Sequence, residues 1–186
     1  MGDERLRLFC ALQLPDETVA ALAAWQARHL SAGRTRPVAA GRTVPPEHLH
    51  VTLAFLGSRP AGEVPAIVRE LGEAAAAAGR VHFRSGRYRE TRSVGMVELE
   101  DLAGVATALA ADLGERLERL GAYRREQRPW LAHVTVLRFR ERPRLDPPAP
   151  DLGEFHAVRS ALYRSALGPA GARYEVLESL PLGRRM

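Results

Sequence analysis

The chain has 186 residues, 46% hydrophobic and 26% charged, with a formal net charge of +5 carried on 27 basic residues that are all arginine. That balance can bury a core and excludes a disordered, collagen-like or stalk protein. No apolar run approaches the roughly 18–20 residues that cross a bilayer, the first residues lack an apolar signal core, and a lone Cys10 excludes an internal disulfide or a cysteine-based zinc site, so a cytoplasmic protein with no membrane association is expected.

Arg5–Leu14 alternates in polarity and stops at Pro15, the pattern of a strand. Asp16 and Glu17 then open an apolar-periodic run through Val19, Leu22, Trp25 and Leu30, which predicts a helix closing near Gly33. Residues 34–47 carry four prolines and glycines and read as loop. Leu49–Leu56 is a predicted strand, stopped by Gly57 and Pro60, and Glu63–Ala78 an alanine-rich helix with Gly79 as its stop. Val81–Tyr88 and Val94–Leu99 read as paired strands. Leu102–Leu120 repeats leucine and valine at three- and four-residue spacing, a further helix. Leu131–Phe139 is a strand, Pro143–Pro150 a proline-rich linker, and Phe155–Leu167 and Arg173–Leu180 are strands. The order predicts an α+β fold in a single domain spanning 1–186.

Charge is unevenly placed. Residues 80–92 carry +4 and residues 121–144 carry +5, so the remainder is −4. Two basic segments on an acidic body point to an anionic partner, with phosphate the obvious candidate.

Two of the predicted strands hold the same pattern, His50-Val51-Thr52-Leu53 and His133-Val134-Thr135-Val136. On a strand, residues i and i+2 share a face. Each unit therefore presents an imidazole and a hydroxyl together, backed by apolar residues. Threonine occupies only seven positions in the chain, so chance repetition with matched flanks is a poor account of the pair. Phosphodiester chemistry needs a base for the nucleophile, an acid for the leaving oxygen, and donors for the non-bridging oxygens. Two histidines, which titrate near neutrality, supply the first two, and Thr and Arg supply the third. No metal is required for this scheme.

At these motifs the chain resembles the 2H phosphoesterases, in particular the RNA 2′,3′-cyclic phosphodiesterases also called 2′-5′ RNA ligases. The resemblance runs from Arg7–Pro15 through Pro46–Gly57 and Arg128–Phe139 to Tyr174–Leu182. It departs from the family where Ala132 replaces a common proline and His48 a common asparagine. The resemblance implies a bilobal fold, two pseudo-symmetric lobes of antiparallel sheet with outer helices around a central cleft. It implies hydrolysis of RNA 2′,3′-cyclic phosphates to 2′-phosphomonoesters without metal or cofactor, and a 2′-5′ ligation by the same site. By position, His50 would be the proton donor and His133 the proton acceptor, although the near-identical motifs do not themselves separate acid from base. Thr52, Thr135 and Arg138 would bind the phosphate. The expected partner is RNA with cyclic-phosphate ends, tRNA fragments among them, with no obligate protein partner and a monomeric state.

Phe9, Trp130, Arg124, Arg125 and Arg128 are candidate RNA contacts, the aromatics through stacking. His48 shares a strand face with His50 but has no acidic or cysteine partner nearby, which favours a rim residue over a metal ligand. His29, His82 and His156 lack the motif, and Cys10 is expected to be buried and inert. Two other readings stay open at this level: a non-catalytic protein that binds RNA ends, and a related enzyme for small cyclic or 2′-5′-linked nucleotides.

Overall fold

The computed structural model describes residues 4–30, 41–168 and 171–183. Nine strands and three α-helices follow in the order β1 (Arg5–Gln13), α1 (Asp16–His29), β2 (Gly41–Thr43), β3 (His50–Pro60), α2 (Val64–Ala77), β4 (His82–Glu90), β5 (Val94–Asp101), α3 (Val105–Arg119), β6 (His133–Phe139), β7 (Glu154–His156), β8 (Arg159–Gly168) and β9 (Gly171–Pro181). The fold is α+β, as expected.

All strand pairings are antiparallel, in the order β7-β4-β5-β6-β3-β1-β8-β9, with β2 added on β6. The sheet divides naturally between β3 and β6, which share the single pair Val51↔Val134. One lobe is β3-β1-β8-β9 and the other is β2 with β6, β5, β4 and β7, joined edge to edge into one curled sheet. The strands that meet at this junction are the two that carry the repeated motif.

The core lies between the helices and one face of this sheet. Helix α1 begins with acids and ends with Arg28 and His29, matching its dipole. It is tied to the second lobe by buried Gln26, whose Nε2 donates to Val44 O at 3.0 Å and Val136 O at 2.7 Å. Helix α2 buries Ile67, Leu71, Ala74 and Ala75, and α3 buries Ala106, Leu109, Ala110, Leu113 and Leu117, each a single stripe at helical spacing. A continuous cluster of buried residues from both lobes, including Leu8, Val51, Leu71, Val97, Leu113 and Val134, fills the space between. Among the described residues no helix is long and apolar enough to cross a membrane.

Four expectations need correction. The strand expected over Phe155–Leu167 is two strands, because the chain changes partner at Ala157 and Val158. Ala157 N–H donates to Val81 O, and Val158 N–H to Gln13 O, one contact on each lobe. Within the expected loop, residues 41–43 form β2 and Pro46–His48 a 3-10 turn; residues 34–40 lie outside the described residues. The strand after the first motif runs on past Gly57, which sits at φ 68° in a bulge opposite Leu8 and lets pairing continue to Pro60. The helix expected from Leu102 starts at Val105, since Asp101 Oδ2 accepts the Thr107 N–H at 2.8 Å and hydroxyl at 2.9 Å.

Candidate active site

The junction register decides how the motifs meet. With Val51 opposite Val134, the neighbouring positions set His50 across from Thr135, and Thr52 across from His133. Valines 51 and 134 are fully buried on the core face, so the two imidazoles and two hydroxyls share the opposite, cleft face. By register each histidine lies across from the other motif's threonine, while the hydroxyl within reach of His50 is that of its own Thr52.

Both rings are held the same way. His50 Nδ1 lies 2.7 Å from His48 O, and His133 Nδ1 lies 2.8 Å from Leu131 O. A carbonyl only accepts, so Nδ1 carries the proton in each ring and Nε2 is left to the cleft. His50 Nε2 lies 3.2 Å from Thr52 Oγ1. Under His50 sits an aromatic floor: Phe9 stacks on it at 4.9 Å and on Tyr163 at 4.9 Å, and Tyr174 meets it edge-on at 5.6 Å. Burial in this setting pushes His50 down to about 4. The bond to His48 O opposes the shift, and the positive charges of Arg138 and His133 add to it.

A feature of both strands brings a third side chain to the same face. On β3, Leu53 and Ala54 are both buried and the register with β1 slips, so alternation resets and Phe55 emerges on the cleft side, 46% exposed. On β6, Val136 and Leu137 are both buried, the register with β5 slips, and Arg138 emerges. Phe55 and Arg138 each stand five residues beyond their histidine. Sequence reasoning named Arg138 but missed Phe55; the apolar doublet after each Thr was the available signal.

The cavity at this face has a volume of about 430 Å³ and is lined by Arg7, His50, Thr52, Phe55, Arg138 and Tyr174, among others. Among the described residues no carboxylate lines it, while Arg7 and Arg138 do. Arg138 donates to the Tyr174 hydroxyl at 3.3 Å, and the Arg7 guanidinium lies 4.8 Å from the Phe55 ring centre. The arrangement suits an anion beside His50, while His133 and Thr135, which share the face by register, are not among the residues that line the cavity. Among the described residues no group of three or more His, Cys, Asp or Glu is set to hold a metal ion. His48 is at the rim, its ring 4.4 Å from Tyr174.

The remaining sequence candidates fall in different places. Phe9 is 3% exposed, and its stacking goes to His50 and Tyr163, which leaves little ring for a base. Trp130 is half-buried, and its Nε1–H donates to Thr52 O at 3.0 Å, tying the second motif's approach to the first motif's strand. Arg124, Arg125 and Arg128 are exposed. Arg125 is paired with Glu118 and Glu115, while Arg124 and Arg128 make no hydrogen bond or ion pair among the described residues. In the basic segment 80–92, three of the five arginines are paired with acids. Arg84 pairs with Glu100 and Glu154, and Arg87 and Arg89 pair with Glu98, across strands that a linear count cannot see.

The chain is similar to known proteins in both sequence and fold. The family model described as LigT like Phosphoesterase matches residues 12–89. A curated Thermus thermophilus protein named RNA 2′,3′-cyclic phosphodiesterase is 34% identical, over 95% of this chain and 90% of its own length. An Escherichia coli protein of the same name is 28% identical, over 94% and 96%. Among solved structures, Thermus thermophilus TT0787 superposes with a TM-score of 0.79 at 31% identity, covering 95% of this chain and 98% of that one. Escherichia coli LigT complexed with 3′-AMP gives 0.78 at 28% identity, covering 96% and 99%.

Proposed function

The chain belongs to the LigT-like phosphoesterases of the 2H family, and on that premise we propose that it hydrolyses RNA 2′,3′-cyclic phosphate ends to 2′-phosphomonoesters. The observation that carries this reading is the register that sets His50 and His133 on one face of the sheet, each across from the other motif's threonine, next to a cavity lined by arginine and, among the described residues, by no carboxylate. The relatives named RNA 2′,3′-cyclic phosphodiesterase supply the substrate class.

The step balances with the residues at hand. Water attacks phosphorus and gives its proton to His133 Nε2. The P–O3′ bond breaks, and O3′ takes a proton from His50 Nε2. The 2′-phosphate remains, and the two rings have exchanged protonation states. Thr52, Thr135 and Arg138 hold the non-bridging oxygens as charge builds there. Trp130 keeps Thr52 in place through its backbone carbonyl. In the free protein His50 is neutral at pH 7. A phosphate anion facing Nε2 opposes the charge of Arg138, so the donor form of His50 is produced with the substrate. A 5′-hydroxyl in place of water would give a 2′-5′ linkage by the same proton transfers. No step in this scheme calls on a metal.

The test is an RNA oligomer ending in a 2′,3′-cyclic phosphate, incubated with EDTA-treated protein, with the 2′- and 3′-phosphate products resolved. A 2′-phosphate is expected, with His50→Ala and His133→Ala each losing about 10²-fold or more. A nucleoside 2′-(p-nitrophenyl phosphate) separates the roles, because p-nitrophenolate stands in for O3′ as the leaving group and needs no proton. His50→Ala should regain activity on it and His133→Ala should not. Rescue of the His133 variant instead would reverse the assignment, and a 3′-phosphate product would overturn the bond cleaved.

A further inference from the structure

A second cavity, of about 390 Å³, adjoins the first and shares one wall with it, the Phe55 ring. Its other walls are the β3 continuation at Gly57 and Arg59 and the turn after α3 at Gly121, Tyr123 and Arg124. Gly57 and Gly121 hold φ 68° and 73°, and a Cβ at either would meet nothing within 4 Å, so both turns face open space. Arg59 is committed to the scaffold. It binds Glu63 and donates to Gly121 O at 3.0 Å, linking the two walls. Arg124 is the opposite case, exposed with no hydrogen bond or ion pair among the described residues, although Arg125 beside it is fully paired.

Phe55 is exposed between the two cavities, with the Arg7 guanidinium 4.8 Å from its ring centre and Arg124 beyond it in the second cavity's wall. A base accepts any aromatic face, and the phosphate attached to it accepts a free guanidinium. A 2′,3′-cyclic phosphate occupies the last nucleotide of an RNA, so the strand can leave the reaction cavity only in the 5′ direction. Phe55 and Arg7 stand at that cavity's rim.

We propose that the second cavity is a subsite for the nucleotide 5′ to the reacting end, its base stacked on Phe55 and its phosphate held by Arg124. This rests on the reading that the reaction cavity takes the cyclic-phosphate nucleotide. It makes the protein an enzyme for single-stranded oligonucleotides, with an affinity that grows with the second nucleotide.

The experiment measures binding of nucleoside 2′-phosphate and of a trinucleotide ending in a 2′-phosphate, at two salt concentrations. The trinucleotide should bind about tenfold tighter at low salt, and the advantage should shrink as salt rises. Arg124→Ala should remove most of that advantage and Phe55→Ala a comparable part, with Phe55→Trp restoring it. Arg80→Ala, in an exposed loop outside both cavities, should keep the full ratio. Equal affinity for the two ligands, or an Arg124→Ala variant with the ratio intact, would overturn the subsite. Turnover of matched cyclic-phosphate substrates is followed in parallel. Length-dependent binding without turnover would count against the reaction alone, and turnover with length-independent binding against the subsite alone.

Discussion

His50 owes its low proton affinity to its surroundings, and the same shift has a consequence for stability. Its native pKa is about 4 against an ordinary 6.5. Between those values the unfolded chain takes up a proton that the native ring refuses, so stability rises with pH across the window and falls as the solution is acidified. Above 6.5 both forms are neutral and the contribution is constant. Wild-type protein should therefore lose more stability between pH 7 and pH 5 than a His50→Gln variant, measured as denaturant midpoints. Equal losses would show that the ring is not held neutral by burial. Phe9 stacks on the ring at 4.9 Å, with Tyr163 and Tyr174 also against it. Phe9 also lines the reaction cavity, where the sequence made it a candidate RNA contact.

At the scale of the element, buried Glu90 at the end of β4 organises the segment that follows β6. Its carboxylate accepts from Arg142 Nε at 3.1 Å, from the backbone N–H groups of Arg144 and Leu145 at 3.0 and 2.8 Å, and from the Tyr88 hydroxyl at 3.1 Å. Arg144 is held at φ 58°, a left-handed conformation that the two N–H contacts stabilise. Burial, with the Glu90 charge, pushes the Tyr88 phenol upward, so it remains a donor. Glu90→Ala leaves those donors without a partner, a cost of about 2–4 kcal/mol, and should make residues 140–150 the first site of limited proteolysis. Little change in thermal midpoint would contradict this. Elements of this kind divide by what a sequence can express. The helices and most strands were legible from periodicity, and both His-x-Thr faces from the strand period of two. The doubled apolar positions 53–54 and 136–137 break that period visibly in the sequence, and the register with a neighbouring strand turns the break into a place for Phe55 and Arg138 on the cleft. The exchange of partner at Ala157–Val158, the pairing of β2, and the cross-strand neutralisation of Arg84, Arg87 and Arg89 are likewise contacts between distant segments. Local propensity carries no record of them.

At the scale of the whole molecule, the two lobes share one paired residue in the sheet but a common core beneath it. The shared core argues that the lobes unfold together, and the chain contains probes on both sides to ask this. Cys10 lies fully buried in β1, between β3 and β8, and burial pushes its thiol up to about 12, so in the native state it should resist thiol reagents. Trp25 packs α1 to the second lobe, its Nε1–H donating to Pro148 O at 2.9 Å, and Trp130 bridges the junction. Denaturant transitions followed by Cys10 labelling and by tryptophan fluorescence should coincide. If Cys10 became reactive before the fluorescence changed, the single pair Val51↔Val134 would be a true boundary between lobes. The site would then sit between two independently opening halves. Coincidence instead means that the core under the junction keeps the facing histidines in register, with the cleft no more mobile than the sheet that carries it.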